Sequence, residues 1–313
     1  MSEEMLEIGF GDVAPDHRSG FVAVIGRPNV GKSTLMNQFV GQKVAIVSPK
    51  AQTTRSRILG ILTREDVQII FVDTPGLHRP RNKLGEVMVA TAEQAIPDAD
   101  VVLFIVDVSV PPTEDDQRIA RLLRKYEDLS VVLVLNKMDL LVPEDVKLHT
   151  EAYWDLVPGH EAWMMTTATT GENLDKLLSL IVDSLPEGPR YYPGDQVTDQ
   201  TEREIAAELI REQVLRFTHQ EVPHAVAVVV DEFTEREDGM IYIAASIFVE
   251  RDSQKGILIG RKGKMLRRIG TAARHQIERM TGGRIYLDLW VKVRKYWRKD
   301  EREIRRLGFD QTG

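Results

Sequence analysis

Gly26-Arg27-Pro28-Asn29-Val30-Gly31-Lys32-Ser33 decides how the first half of this chain folds, because of what lies on either side of it. The β-branched and apolar stretch 21–25 before it reads as a buried strand. A helical pattern starts near Lys32 and carries Thr34 in its first turn. A strand that turns into a helix through such glycines is the P-loop pattern. Backbone N–H groups and the helix N-terminus face phosphate oxygens, a lysine supplies charge to the β- and γ-phosphates, and a serine hydroxyl is placed for Mg²⁺. Gly26, Arg27, Pro28, Asn29, Val30, Gly31, Lys32, Ser33 and Thr34 are therefore the candidate phosphate site.

Outward from this loop, short apolar runs at 21–25, 67–72, 101–108, 131–135 and 163–167 alternate with helical patterns as far as residue 185. Such alternation predicts an α/β domain, a mainly parallel sheet with helices on both faces. The stretch 186–194 holds three prolines and two glycines and reads as a linker. Residues 18–185 and 195–313 are thus two expected domains, and 1–17 an extension. The second domain changes pattern. Ala206, Leu209, Ile210, Val214 and Phe217 recur at helical spacing, two β-rich stretches flank Asp238-Gly239, a helix is expected from Lys264, and a strand over 284–294 precedes a basic helical tail. This is a smaller α+β unit.

Two further phrases end parallel strands, on the sheet edge where ligands bind in open α/β folds. At Asp73-Thr74-Pro75-Gly76 a carboxylate can hold Mg²⁺ through water while the Gly76 N–H meets the γ-phosphate. At Asn136-Lys137-Met138-Asp139 a carboxylate can accept from N1–H and the N2 amine of guanine, a pair that adenine lacks. The expected ligands are GTP and GDP, with Mg²⁺.

The chain has no cysteine, which excludes disulfides and thiolate metal sites and suits a reducing cytosol. Its acidic N-terminus does not read as a secretory signal, and its apolar runs are too short to span a bilayer. The net charge of −7 hides an asymmetry: residues 251–313 carry 18 Lys and Arg against 7 Asp and Glu. A basic segment at one end of an acidic chain is an electrostatic footprint for phosphate. Within it stands Gly260-Arg261-Lys262-Gly263-Lys264, where two glycines permit a tight helix-to-helix turn against a sugar-phosphate chain and the basic side chains add charge. In the strand over 284–294, Tyr286 and Trp290 share the face opposite the core and are candidates for stacking on bases, as are Tyr296 and Trp297.

The nucleotide phrases resemble those of the translation-factor-related GTPases, and 257–266 resembles the core of a KH domain. The first resemblance implies that Asn136 contacts the purine, Lys137 lies along its face and Asp139 selects guanine. It also implies a last base loop at Thr167-Ala168, where the family usually has Ser-Ala, with the Ala168 N–H reaching the guanine oxygen. Gln52-Thr53-Thr54-Arg55 resembles the first switch, whose Mg²⁺ ligand is Thr54 or Thr53, with Thr54 favoured. The implied metal ligands are Ser33, Thr54 and, through water, Asp73; Lys32, Thr54, Asp73 and Gly76 are the implied catalytic residues. Leu77 stands where Ras-like enzymes carry the glutamine that orients water, so a low intrinsic rate is expected. Asn29, in a Gly-x-Pro-Asn loop, is a candidate to help hold K⁺ in place of an arginine finger.

A GTPase followed by a C-terminal type II KH domain resembles the Era family, over about residues 18–313. That resemblance implies a monomeric GTPase that binds the 3′ region of 16S ribosomal RNA, not DNA, and assists assembly of the small (30S) subunit. It implies a cytoplasmic place of action with peripheral association at the membrane's inner face. A scaffold that keeps nucleotide only for structure and a GTPase coupled to RNA modification are the alternatives.

Overall fold

The computed structural model of the chain describes residues 14–309 except 15, 51, 127, 158, 159 and 161, so most of the expected extension lies outside the described residues. Its fold divides into two compact units. Unit 1 comprises Met1–Ala45, Thr54–Arg79 and Met88–Asp199; unit 2 comprises Ile46–Thr53, Pro80–Val87 and Gln200–Gly313.

Unit 1 is built on a six-stranded sheet of β1 (Arg18–Ile25), β2 (Ile58–Thr63), β3 (Val67–Asp73), β4 (Val101–Asp107), β5 (Ser130–Asn136) and β6 (Ala162–Thr166). The strand order is β2-β3-β1-β4-β5-β6, with every pairing parallel except β2 with β3. Strands β3 and β4 are buried throughout because helices cover both faces. One face packs α1 (Lys32–Val40) and α5 (Leu174–Ser184) through Leu35, Met36, Leu177 and Ile181. The other packs α2 (Lys83–Gln94), α3 (Glu114–Leu123) and α4 (Val146–Leu156) through Val89, Ile119 and Tyr153. Each buried aliphatic side chain contributes about 1.5–3 kcal/mol. The loops at the strand ends, where the motifs lie, therefore start from rigid ground.

The proline-rich stretch 186–194 lies within unit 1, which extends to Asp199. Ser19 N–H donates to the Pro186 carbonyl at 3.1 Å, and the buried Gln68 side chain accepts from the Tyr191 and Tyr192 N–H groups at 2.7 and 2.9 Å. Farther on, the outer edge of β2 is covered: Ile61 N–H donates to Val197 O at 2.9 Å and Leu59 N–H to Asp199 Oδ1 at 3.1 Å.

Unit 2 is a three-stranded sheet of β7 (Ala227–Glu235), β8 (Met240–Val249) and β9 (Arg284–Val293), with β7 antiparallel and β9 parallel to β8. Helices α6 (Glu202–Phe217) and α9 (Lys264–Thr281) pack Leu209, Ile210, Val214, Ile269 and Ala273 into one buried cluster with the strands. The short α7 (Val222–Ala225), α8 (Asp252–Ile259) and α10 (Glu301–Arg306) complete it. Helix α6 starts at a capping box in which Thr201 Oγ1 and Glu204 satisfy each other's backbone N–H. Trp297, read as a candidate stacking residue, is instead buried, its Nε1 donating to the Ala225 carbonyl at 3.0 Å. An indole N–H in a core needs such an acceptor, and here it lies 72 residues away in sequence.

Candidate functional site

The P-loop runs from the end of β1 to the start of α1, with Asn29 and Gly31 at positive φ, 65° and 108°. Gly31 has no room for a side chain, since a Cβ would stand 2.3 Å from Asn136 Nδ2. Lys32 is buried, its Nζ donating to the Gly26 and Arg27 carbonyls, each at 3.1 Å. Gly26 and Gly76 are equally confined, Gly76 because a Cβ would meet the Pro28 backbone nitrogen at 2.6 Å. The loop after β3 therefore lies directly on the P-loop, and the Leu77 N–H donates to Gly26 O at 3.1 Å. Thr74 Oγ1 holds it from below through the Val24 carbonyl at 2.9 Å.

Three oxygens converge at the start of α1. Ser33 Oγ lies 2.6 Å from Asp73 Oδ2, and Thr54 Oγ1 lies 2.9 Å from Ser33 Oγ and 3.1 Å from Asp73 Oδ2. Thr53 turns elsewhere, its Oγ1 donating to the Lys50 carbonyl at 2.7 Å. Asp73 is fully buried, and its Oδ1 finds no partner among the described residues. Burial pushes its carboxyl up, opposed by the Lys32 charge and by hydrogen bonds from Ser33 and Thr54. An unpaired carboxylate oxygen beside two hydroxyls is a hard, all-oxygen donor set that fits Mg²⁺ completed by phosphates and water. No cluster of three or more His, Cys, Asp or Glu suited to a metal exists among the described residues.

Burial also lowers the Lys32 ammonium to about 8, an effect that the Asp73 carboxylate partly offsets. A triphosphate binds the charged form. Free protein above that pH must therefore take up a proton on binding, and affinity for GTP should fall as pH rises through about 8, by up to about tenfold per unit. Calorimetry in buffers of different ionisation enthalpy reads that uptake. Affinity that stays flat between about pH 7 and 9 would show that burial does not lower the Lys32 ammonium into that range.

At the other end of the site, Asn136 binds three loops together. Its Nδ2 donates to the Val30 carbonyl at 2.7 Å, and its Oδ1 accepts from Ala168 N–H at 3.0 Å and Thr166 Oγ1 at 3.1 Å. Asn136 and Ala168, both expected at the base, are thus paired with each other. Lys137, at φ 65°, directs Nζ to Asp107 Oδ2 at 2.6 Å. Burial alone would raise the Asp107 carboxyl; Lys137 and Ser109 outweigh it and hold the group low. Arg27 turns its side chain to Asp116 at 3.2 Å and Asp107 at 3.8 Å, while its carbonyl accepts from Lys32. Asp139 is exposed, and Thr167 is buried.

In unit 2 the basic loop joins α8 to α9 with Gly260 and Gly263 at φ 67° and 74° and Lys262 at 53°. Arg261, Lys262 and Lys264 are exposed. Beside the loop a groove of about 410 Å³ runs between α9 and β9. Gly263, Arg267, Gly270 and Arg274 line its helix side, and Leu287 and Leu289 its floor. Gly270 lets strand and helix approach, since a Cβ there would lie 3.3 Å from Leu289. Arg267 and Arg274 were missed in the sequence. Their spacing of seven around a small residue, two helical turns on one face, was the available signal. Tyr286, Trp290 and Tyr296 are exposed, with no helix among the described residues packed over them to bury the rings.

Comparison with known proteins adds independent observations. Residues 21–137 match the model of the 50S ribosome-binding GTPase family, and residues 221–298 match that of the KH domain. The chain is 49% identical over 294 residues to GTPase Era of Heliobacterium modesticaldum, covering 94% of this chain and 98% of that protein. It is also 49% identical over 305 residues to GTPase Era of Nostoc sp., covering 97% and 93%. A crystal structure of Era in complex with MgGDPNP and nucleotides 1506–1542 of 16S ribosomal RNA aligns with a TM-score of 0.90 at 39% identity, over 94% of this chain and 99% of that one. A point variant of Aquifex aeolicus Era bound to GDP·AlF4⁻ aligns with a TM-score of 0.89 at 38% identity, over 93% and 99%.

Proposed function

This chain belongs to the Era family of GTPases, and from that premise we propose that it binds the 3′ region of 16S ribosomal RNA in the groove beside Gly260–Gly263 and assists small-subunit assembly, with GTP favouring and hydrolysis ending the RNA-bound state. The observation that carries the proposal is one chain holding both a three-oxygen cluster at a P-loop and a basic, glycine-turned groove of KH form.

The reaction is transfer of the γ-phosphoryl group of GTP to water. Mg²⁺, when bound, neutralises charge on the phosphate oxygens and would be held by Ser33, Thr54 and, through water, Asp73. Lys32 and the backbone N–H groups of the P-loop from Gly26 to Thr34, Pro28 having none, hold the β- and γ-phosphates where charge develops. The Gly76 N–H meets the γ-phosphate. Asp139 reads guanine, Lys137 lies along its face, and Asn136 keeps the loops in register; Thr167 and Ala168 complete the base pocket. Leu77, buried in the core, offers no hydrogen bond to water, which supports a low rate without RNA or ribosomal partners.

Asn29 stands exposed at the outer turn of the P-loop, which supports a share in holding K⁺. Exchanging K⁺ for Na⁺ at constant ionic strength should then lower hydrolysis by at least about tenfold. An unchanged rate would end the cation role.

The reading itself is tested by affinity for single-stranded RNA copying the small-subunit 3′ end, at one fixed salt concentration. A non-hydrolysable GTP analogue should tighten binding at least about fivefold over GDP. Replacing both Arg261 and Lys262 by Glu should weaken it in both states and flatten the salt dependence by about 1.4 in log–log slope. Failure to bind in either state would reject the RNA assignment. The proposed place of action is the cytoplasm, as a monomer. No helix of the described residues is long and apolar enough to cross a membrane, and peripheral association is carried by family resemblance alone.

A further inference from the structure

Unit 2 contains the segment Ile46–Thr53, which helix α6 holds at both ends. Ile46 joins the buried cluster of Leu209, Ile210 and Val214. The Val47 N–H donates to Glu212 Oε1 at 3.1 Å. Arg211, 1% exposed, donates from Nη2 to the Thr53 carbonyl. Its guanidinium is fixed by Glu208, through Nε at 2.8 Å and Nη2 at 2.6 Å. A guanidinium taken out of water is costly unless it is paired, so this side chain has little freedom to leave the Thr53 carbonyl. The next residue is Thr54, whose hydroxyl sits within 3.1 Å of both Ser33 Oγ and Asp73 Oδ2.

Helix α6 is also the main support of α9, which begins at the Gly260–Gly263 turn. The two share one buried cluster, and Arg268 of α9 lies 4.2 Å above the Phe217 ring of α6. One helix therefore carries both the residue before the switch threonine and the helix that forms the RNA loop.

We propose that Arg211 is a positioning residue for GTP hydrolysis: by fixing the Thr53 carbonyl it holds the Thr53–Thr54 peptide so that the Thr54 hydroxyl reaches the Ser33–Asp73 cluster, and it thereby ties α6 to the nucleotide state. This rests on the nucleotide-gated reading given above. The tie is reciprocal. RNA should tighten binding of the GTP analogue by the same factor by which the analogue tightens RNA.

The test uses the full chain with Arg211→Met, which fills the same volume without donors, and Arg211→Lys, which keeps one donor for the Thr53 carbonyl. Arg211→Met should lower kcat at least about tenfold with KM little changed, bring the ratio of RNA affinities in the analogue and GDP states close to one, and leave RNA affinity in the GDP state intact. The last measurement shows that the RNA groove is still folded. Arg211→Lys should recover most of kcat. Wild-type kcat and affinity ratio in Arg211→Met would overturn the inference, as would a loss that Lys does not recover, since packing would then explain it. If Arg211→Met proves too unstable, Arg211→Gln replaces it under the same criteria. A wild-type protein with equal RNA affinity in both states would instead reject the gated reading, and the positioning role would then stand or fall on kcat.

Discussion

Replacing Asp139 by Asn should convert this enzyme from guanine to xanthine nucleotides. The Asp139 carboxylate is exposed at the end of β5, in the loop that Asn136 ties to the P-loop. In the proposed role the anion would accept from both N1–H and the N2 amine of guanine, and hydrogen bonds to a charged group are worth about 1.5–3 kcal/mol each. The amide has one acceptor and one donor, so it leaves the N2 amine facing another donor. GTP affinity should fall by about two to four orders of magnitude. Xanthine carries a carbonyl where guanine carries the amine, and xanthosine triphosphate should gain much of what GTP loses. Competition between the two nucleotides measures this directly; GTP affinity within tenfold of wild type would show that the base is read elsewhere.

The second large effect concerns the RNA loop, and it separates two glycines that look equivalent in the sequence. Gly260 sits at φ 67° and ψ 174°, a region open essentially to glycine alone, and a Cβ there would stand 2.7 Å from the Met265 Cβ. Gly263 sits at φ 74° and ψ 10°, the left-handed region, with nothing within 4 Å of a Cβ. Gly260→Val must therefore rebuild the turn between α8 and α9, whereas Gly263→Ala costs only about 1–2 kcal/mol of backbone strain. RNA affinity should collapse by at least about thirtyfold in the first variant and change about threefold or less in the second, with GTP hydrolysis in the absence of RNA unchanged in both. Equal RNA binding by all three proteins would place the RNA elsewhere.

What was legible in the sequence is what the local chain determines. The run from β1 through the P-loop to α1 lies within a few consecutive residues, and the phrases after β3 and β5 are equally local. Strand β2 was not read, because Ile58-Leu59-Gly60-Ile61-Leu62 lacks alternation and carries a glycine at its centre. That glycine lets α1 come close, since a Cβ would meet Met36 at 2.8 Å. The switch threonine stayed open between two neighbours, and only the hydroxyl geometry separates them. The attachment of Val47 and Thr53 to α6 spans 165 and 158 residues and leaves no local trace. The same holds for Trp297, whose placement beside a basic tail suggested a surface and whose acceptor lies in another element.

The outer rim of β2 bears on where this chain can be cut. Val197 and Asp199 cap two of its outward N–H groups, a task that in other sheets falls to charges, prolines or a covering helix. A fragment truncated at residue 185, where the sequence invites a cut, would shed that cover and present a bare, apolar strand of Ile58, Leu59 and Ile61 to its neighbours in solution. Edge-to-edge association would follow, and an insoluble product would be mistaken for an unstable fold. A fragment carried fourteen residues farther, through residue 199, keeps its rim sealed, and what it loses instead is the seat of Ile46–Thr53 and Pro80–Val87, which belong to the second unit.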